Sequence, residues 1–194
     1  LPCPMMLAGI GTNATLAICF RYLRLRHPTM KLIFRLMAIL AIVGVAAATY
    51  FSLNNNNSAP QSSFLMLDGS QKTTADWKGH VTLVNFWATS CTTCVAEMPM
   101  LSQTFEKYQG QGYRTVAVAM QYDPPEYVNN FVQSRKLPFE VALDNTGGIA
   151  KEWGDITITP TTFLLNKQGE IVKQYVGAPN EKELHSLIEK LLAS

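Results

Sequence analysis

The sequence predicts an α/β fold in which helices flank a mixed central β-sheet, preceded by one hydrophobic helix near the N-terminus. From residue 81 onward, strand-like and helix-like segments alternate. Two further strands and an amphipathic helix then complete the chain, which predicts a hairpin and a terminal helix. An uncharged, mostly apolar run at Leu36–Leu53 predicts the separate N-terminal helix.

The charge distribution divides the 194-residue chain into two unlike parts. All 14 acidic residues lie between Asp68 and Glu189, whereas residues 1–60 contain five basic residues and no acid. Residues 61–194 hold the other 11 basic residues and carry a formal net charge of −3. Because no basic residues cluster in this acidic part, we expect no nucleic-acid partner.

The apolar run has two interpretations. As a helix, Leu36–Leu53 would span about 27 Å at about 1.5 Å per residue, slightly less than a hydrocarbon core of about 30 Å, which is adequate for a membrane anchor. The basic residues Lys31 and Arg35 before it and the small residues 46–48 also fit a cleaved signal peptide. In both cases the basic residues precede the apolar run, which predicts that the C-terminal part lies outside the cytoplasm. We expect that part to be anchored in a membrane through Leu36–Leu53, or released if the segment is cleaved.

These patterns predict four parts of the chain. Residues 1–29 form an N-terminal extension of doubtful function, which contains Cys3 and Cys19. Residues 30–53 form the signal anchor or signal peptide. Residues 54–62 are polar and uncharged and predict a linker, and residues 63–194 predict a globular domain.

Within the domain each element has a local signal. The predicted strands cover residues 64–67, 81–87, 114–120, 139–143, 162–166 and 170–176. The predicted helices cover residues 91–108, 124–136, 147–153 and 181–192. Gly110 and Gly112 end the first of these helices, and Pro124 opens the second. The turn at residues 167–169 joins the last two strands, and apolar residues at helical spacing define the last helix.

Cys91 and Cys94 are the cysteines of the domain, and they follow the apolar strand 81–87 directly. Two cysteines three positions apart close almost no loop, so the pair is reactive or metal-binding rather than a structural crosslink. A cysteine at a helix N-terminus has a lowered pKa, and Cys-x-x-Cys thiols fall at roughly 3.5 to 7.5. Cys94, one helical turn further on, is placed to resolve a mixed disulfide. The pair therefore indicates a thiol–disulfide oxidoreductase.

Residues 83–99 (LVNFWATSCTTCVAEMP) resemble the active-site block of the TlpA/ResA/CcmG group of thioredoxin-like, membrane-anchored disulfide reductases. The resemblance covers about residues 63–193 and includes Asp123–Lys136 and residues 158–164. It implies a thioredoxin-like fold and a monomer without cofactor or bound metal. It also implies a reductase of disulfides in exported proteins, recharged by a membrane electron donor of the thiol-relay type. Cytochrome c maturation and copper-site maturation are the implied processes.

The same resemblance implies roles for the residues that match its motifs. Cys91 would attack the substrate, Cys94 would resolve the mixed disulfide, and the two would form the redox disulfide. Pro160 matches a cis-proline beside that disulfide, since X–Pro bonds are the ones in which the cis form is accessible. The backbone of Thr159 would pair with a bound substrate strand.

Three further positions of this block carry expectations. Glu97 matches an acid that influences thiol ionisation in ResA-like proteins. Asn85 occupies the position of a buried aspartate in thioredoxin. Unlike that aspartate, its amide cannot accept a proton. Trp87 is a candidate substrate-binding residue, although its ring is equally suited to filling the core.

Two other function classes remain open at this point. Thiolates bind Cu(I) well, which permits a copper-binding protein, but such a site usually needs a third ligand, and we expect His80 and His185 at the surface. A thiol peroxidase would have a threonine where Ala88 precedes Cys91. The direction of electron flow, reductase or oxidase, depends on a redox potential that the residues do not give.

Overall fold

The computed structural model describes residues 27–54 and 57–194, with side chains at residues 32–50 and 57–194. The chain forms two compact units, Leu1–Asn56 and Asn57–Ser194. Cys3, Cys19 and the predicted extension up to residue 26 lie outside the described residues.

The first unit contains helix α1, His27–Asn54, which includes the predicted apolar run. Its segment Leu32–Tyr50 is long and apolar enough to cross a membrane, and all of its side chains are exposed within the chain. Length and composition alone also fit a signal sequence, so both interpretations of this segment stay open.

The second unit is built from seven strands and four further α-helices. The strands are β1 Ser63–Met66, β2 Gln71–Thr73, β3 Val81–Trp87, β4 Tyr113–Ala119, β5 Glu140–Leu143, β6 Thr161–Leu165 and β7 Ile171–Val176. The helices are α2 Thr92–Tyr108, α3 Pro125–Arg135, α4 Gly148–Glu152 and α5 Glu181–Ala193. Two single 3₁₀ turns, Thr74–Trp77 and Gln109–Gln111, lie between them.

All seven strands form one mixed sheet in the order β2-β1-β5-β4-β3-β6-β7. Strands β3, β4 and β5 are parallel to one another, and every other pairing is antiparallel. The predicted α/β fold with a mixed central sheet is therefore confirmed. Strand β3 lies inside the sheet, and all seven of its residues are buried. Because both of its faces are covered, its sequence is mostly apolar instead of alternating between apolar and polar residues.

Hydrophobic clusters cover both faces of the sheet, and β3 contributes alternate residues to each. Leu83 and Trp87 join a cluster that includes residues of α2, α3 and α5. Val84 and Phe86 join an aromatic-rich cluster on the other face, whose members include Phe64, Trp77, Trp153 and Phe163. This two-sided burial fixes the end of β3, and with it the position of the cysteines that follow.

Some expectations differ from the structure at the edges of the domain. Strand β2 was not predicted, because three polar residues at a sheet edge carry no apolar pattern. Ala59 and Ser62 are buried, and the Ala59 N–H donates to Gly169 O at 3.0 Å. This end of the predicted linker 54–62 therefore belongs to the folded unit, which begins at Asn57.

Candidate active site

The cysteine pair lies where β3 leaves the sheet and α2 begins. Cys91 is the N-cap residue of α2, and its Sγ accepts a hydrogen bond from the Cys94 N–H at 3.1 Å. The two sulfur atoms are joined in a disulfide with a Cα–Cα distance of 5.2 Å. Cys91 is half-buried, whereas Cys94 is fully buried. Cys91 is therefore the sulfur that a partner molecule can reach, and the helix N-terminus is placed to stabilise its thiolate.

A second loop approaches the disulfide from the start of β6. The Thr159–Pro160 peptide bond is cis, and Thr159 O lies 3.6 Å from Cys91 Sγ. Pro160 is buried and its carbonyl accepts from the Gly177 N–H at 2.8 Å, while the Thr161 hydroxyl donates to Ile158 O at 2.7 Å. These bonds fix the loop, which we name the cis-proline loop (residues 158–160).

Behind the disulfide, Asn85 of β3 joins α2 to β6. Its amide Nδ2 donates to Glu97 Oε1 at 2.8 Å and to Thr162 Oγ1 at 2.9 Å. All three side chains are buried. Asn85 Oδ1 and Glu97 Oε2 have no hydrogen-bond partner among the described residues. The acid is thus held inside the protein, one helical turn after Cys94.

The surroundings of Glu97 raise the pKa of its carboxyl group. Burial raises the pKa of Glu97 from its ordinary 4.5 to about 7, although the hydrogen bond from Asn85 opposes this shift. The carboxyl group consequently gains and loses its proton close to neutral pH. A group with that behaviour one helical turn after a redox cysteine is suited to influencing thiol ionisation.

Trp87 does not occupy the position expected of a substrate-binding residue. Its side chain is completely buried, and its ring packs on Phe131 of α3 at a centroid distance of 5.2 Å. The expectation of a substrate contact is wrong because β3 is an interior strand, so a side chain at its end points into the core. Trp87 belongs to the hydrophobic cluster that also contains Cys94.

Asp123 is a site residue that the sequence did not single out. It is buried at the end of the loop between β4 and α3, and its carboxylate accepts from Thr89 N at 2.6 Å and Thr89 Oγ1 at 2.5 Å. These two bonds hold the turn that leads from β3 to Cys91. An isolated acid before two prolines gives no sign of this contact, because its partner lies 34 residues away.

His80 and His185, which the sequence predicts at the surface, are instead half-buried. His80 Nε2 lies 3.4 Å from Arg114 Nη2, and His185 Nε2 lies 2.9 Å from Thr104 Oγ1. Neither forms a hydrogen bond with Cys91 or Cys94. Among the residues that the structure describes, no group of three or more His, Cys, Asp or Glu side chains is placed to hold a metal ion.

Comparison with known proteins agrees with this geometry. A family model described as Redoxin matches residues 54–191, well over half of the chain. The chain belongs to the Redoxin family. A relative from Bacillus cereus, the thiol-disulfide oxidoreductase ResA, is 31% identical over 169 residues, which cover 83% of this chain and 96% of the relative.

Solved structures place this Redoxin protein in the thioredoxin-like fold. StoA from Bacillus subtilis is 30% identical with a TM-score of 0.56, over 66% of this chain and 97% of StoA. A thiol:disulfide interchange protein of the thioredoxin family from Chlorobium tepidum has a TM-score of 0.64 at 24% identity, over 70% of this chain and 96% of that protein, and shows the fold alone. The resemblance to the ResA group is confirmed, and the protein is a thiol–disulfide oxidoreductase.

Proposed function

We propose that this Redoxin protein is a membrane-anchored reductase of disulfides in exported proteins, with Cys91 as the attacking thiol and Cys94 as the resolving one. The observation that supports this best is the asymmetry of the pair. Cys91 is reachable and lies at the start of α2 beside the cis-proline loop, whereas Cys94 is buried behind it. Protein disulfides are the substrates of such an enzyme.

The proposed reaction transfers two electrons. The Cys91 thiolate of the reduced protein attacks one sulfur of the substrate disulfide, whose S–S bond breaks as a mixed disulfide forms, and the released substrate thiolate takes up a proton. The Cys94 thiol then loses its proton and attacks Cys91 Sγ, which releases the second substrate thiolate. The substrate is reduced and the Cys91–Cys94 disulfide is formed, which is the state the structure contains.

Two neighbouring groups assist in this proposal. The Thr159 backbone would pair with the substrate strand while Pro160 keeps the cis-proline loop beside Cys91. Glu97 would exchange a proton with the resolving thiol, since its pKa of about 7 lets it accept and release protons near neutral pH.

The oxidised pair must be reduced again after each turnover. We propose a membrane protein with a dithiol as the donor, which would pass two electrons to the Cys91–Cys94 disulfide and become a disulfide itself. A helix that can span a membrane, Leu32–Tyr50, supports placing the domain at the outer face of the bacterial inner membrane.

A trapping experiment tests this function. In Cys94→Ala the mixed disulfide on Cys91 cannot be resolved, so substrates should accumulate in covalent complexes that reducing agent releases. These complexes are isolated from cells and identified by mass spectrometry. The identities distinguish apocytochromes, copper-site assembly proteins and misoxidised exported proteins as substrates.

The matched control is the double variant Cys91→Ala/Cys94→Ala, which should trap nothing. A folded Cys94→Ala protein without any trapped partner would contradict a protein-disulfide substrate. The direction is tested separately by alkylating free thiols in intact cells. A reductase should be found mainly as the dithiol, and a predominantly oxidised pair would contradict that direction.

A further inference from the structure

Asn85 is a polar side chain in the fully buried strand β3, and it links three elements of the fold. Its cross-strand partners are Ala117 of β4 and Thr162 of β6, so these three side chains lie on one face of the sheet. Glu97 of α2 meets Asn85 on the same face. The amide therefore joins the helix that follows Cys91 to the strand that follows the cis-proline loop.

The hydrogen bonds of Asn85 determine which end of its amide faces the acid. Nδ2 donates to Glu97 Oε1 at 2.8 Å and to Thr162 Oγ1 at 2.9 Å. The opposite orientation would place Asn85 Oδ1, which can only accept, against a carboxylate oxygen. The Thr162 hydroxyl occupies the second N–H of the amide and so keeps the first one on Glu97.

This single bond matters because the carboxyl group is buried. An ionised carboxylate inside a protein has lost its hydration and is favoured only by the donors that replace it. Among the residues that the structure describes, Asn85 supplies the one hydrogen bond to the Glu97 carboxyl group. Burial raises the pKa of Glu97 to about 7, and the Asn85 bond opposes that rise. Without this donor, Glu97 would stay protonated through the neutral range.

Other ionisable groups around Glu97 do not account for its behaviour. Its own helix carries Cys91 and Cys94, and strands β3 and β6 contain no ionisable side chain. The other elements packed around α2 bring Tyr113 of β4, Arg135 of α3, Lys173 and Tyr175 of β7, and Glu183 of α5. Lys173 and Glu183 pair with each other at 3.0 Å. The causes of the raised pKa of Glu97 are burial and, in the opposite direction, the Asn85 bond.

We propose that Asn85 is a positioning residue of the reaction, which fixes the Glu97 carboxyl group one helical turn after Cys94 and keeps its ionised form accessible. The inference rests on the proposed function, in which Glu97 exchanges a proton with the resolving thiol. Asn85 exchanges no proton itself and acts only through Glu97.

The step that depends on Asn85 is the resolution of the mixed disulfide. The Cys94 S–H bond breaks and its proton passes to the Glu97 carboxylate. The Cys94 sulfur then bonds to Cys91 Sγ while the bond from Cys91 to the substrate sulfur breaks, and that electron pair leaves with the substrate thiolate. The thiolate takes up a proton from water, and Glu97 later releases its own.

The first measurement is the titration of Glu97 in the oxidised full chain, in detergent, with carbon-13 at the glutamate carboxyl carbons. The Glu97 signal in the NMR spectrum is the one that Glu97→Gln lacks. Asn85→Leu nearly keeps the volume and removes the donor, so the proton affinity of Glu97 should rise about tenfold and the midpoint should move to higher pH. Thr82→Val, a change in the same strand at a fully buried hydroxyl that has no partner among the described residues, should titrate like the wild type.

Two further variants change the same contact by other means. Asn85→Asp places two carboxyl groups side by side, which should share a proton and titrate in two steps, the upper one above the wild-type midpoint. Thr162→Val removes the second acceptor of the amide and leaves its orientation less fixed. The proton affinity of Glu97 should then rise by only about threefold.

The second measurement is the rate at which the mixed disulfide on Cys91 is resolved, in a single turnover of the reduced full chain with a disulfide-bonded peptide. At pH 7 a tenfold higher proton affinity lowers the ionised fraction of Glu97 about fivefold, so Asn85→Leu should resolve about fivefold more slowly. The rate should return toward the wild-type value as pH rises. A purely structural role would lower the rate by the same factor at every pH.

The outcomes separate this inference from the proposed function. Unchanged Glu97 midpoints in Asn85→Leu and Asn85→Asp, or a rate loss that does not depend on pH, would refute the role of Asn85. If the wild type forms no mixed disulfide with the peptide, the proposed function fails, and the titration still shows whether Asn85 controls Glu97. Should Asn85→Leu lose its cooperative thermal transition, Asn85→Asp and Thr162→Val decide the question.

Discussion

Glu97 connects the chemistry of the site to the stability of the domain. The side chain is 4% exposed, accepts one hydrogen bond from Asn85, and has a pKa of about 7. A carboxyl group with this pKa gains and loses its proton in the range where thiols of a Cys-x-x-Cys motif ionise. The same shift costs stability whenever the group is ionised, because charge is buried with a single partner.

The sign of the stability effect follows from proton uptake. Between pH 4.5 and about 7 the folded protein holds a proton on Glu97 that the unfolded chain has released, so stability falls as pH rises through this window. The loss amounts to about 3 kcal/mol and levels off above the folded pKa. We expect Glu97→Gln to remove this loss.

Guanidinium unfolding of the oxidised protein at pH 4.5 and pH 8, followed by tryptophan fluorescence, measures the effect. Glu106→Gln is the matched control, since Glu106 is exposed on the same helix, and it should retain the pH dependence of the wild type. Parallel pH dependence in wild type and Glu97→Gln would contradict the prediction.

At the scale of elements, the loop between β4 and α3 holds the active-site turn in place. It does so through Asp123, whose two bonds to Thr89 connect segments that are distant in sequence. Hydrogen bonds to a charged group contribute more than neutral ones, and their loss leaves the donors of the half-buried Thr89 without this partner.

We expect Asp123→Ala to lower the free energy of unfolding by about 2 kcal/mol. Together with Thr89→Val it should show a coupling energy of about 1 kcal/mol, because the two side chains share one bond. Denaturant unfolding of both single variants and the double variant measures the cycle. Gln121→Ala, an exposed neighbour in the same loop, is the control, and strictly additive effects at 89 and 123 would argue against the contact.

Helix α5 covers one face of the sheet with a narrow apolar stripe. Leu184 and Ile188 are fully buried in it. Ile188→Ala should lower the free energy of unfolding by about 2 to 5 kcal/mol, because it removes buried methyl groups and leaves a cavity. Thermal or denaturant unfolding checks this, with the exposed Ser186→Ala as control; an effect of similar size in both variants would mean that α5 does not pack as described.

At the scale of the whole molecule, the role of helix α1 can be tested independently of the folded unit. Leu32–Tyr50 can span a membrane by length and composition. If it anchors the protein, the full chain should remain in the membrane fraction after an alkaline wash. A charge at the centre of such a helix opposes insertion by about 2.5 to 3.5 kcal/mol, so Leu40→Arg/Val43→Arg should reduce retention.

Fractionation followed by immunoblotting measures retention, and mass spectrometry of the mature protein measures its length. Ala46→Ser, which adds no charge, is the control. A soluble product that has lost its N-terminal segment would replace the anchor interpretation with that of a cleaved signal.

Much of this molecule is encoded in local patterns. The interior strand β3, the helix that begins at Cys91 and the amphipathic α5 each follow from composition and periodicity within a few residues. The motif around the cysteines indicated the correct chemistry, because two thiols at a strand–helix junction have few other uses. Local signals suffice wherever neighbours in sequence make the decisive contacts.

Other features depend on residues that are far apart in the chain. Strand β2 exists because β1 offers it backbone partners, and Trp87 is buried because an interior strand carries it. Three contacts appear only when the sheet assembles: Asp123 with Thr89, Asn85 with Glu97, and the Thr159 carbonyl with Cys91. The residues thus specified the fold and the cysteine pair, while the packing of distant segments set the proton affinity of Glu97 and placed the cis-proline loop beside Cys91. The reason is physical: periodicity acts within a segment, whereas burial and electrostatic environment belong to the assembled structure.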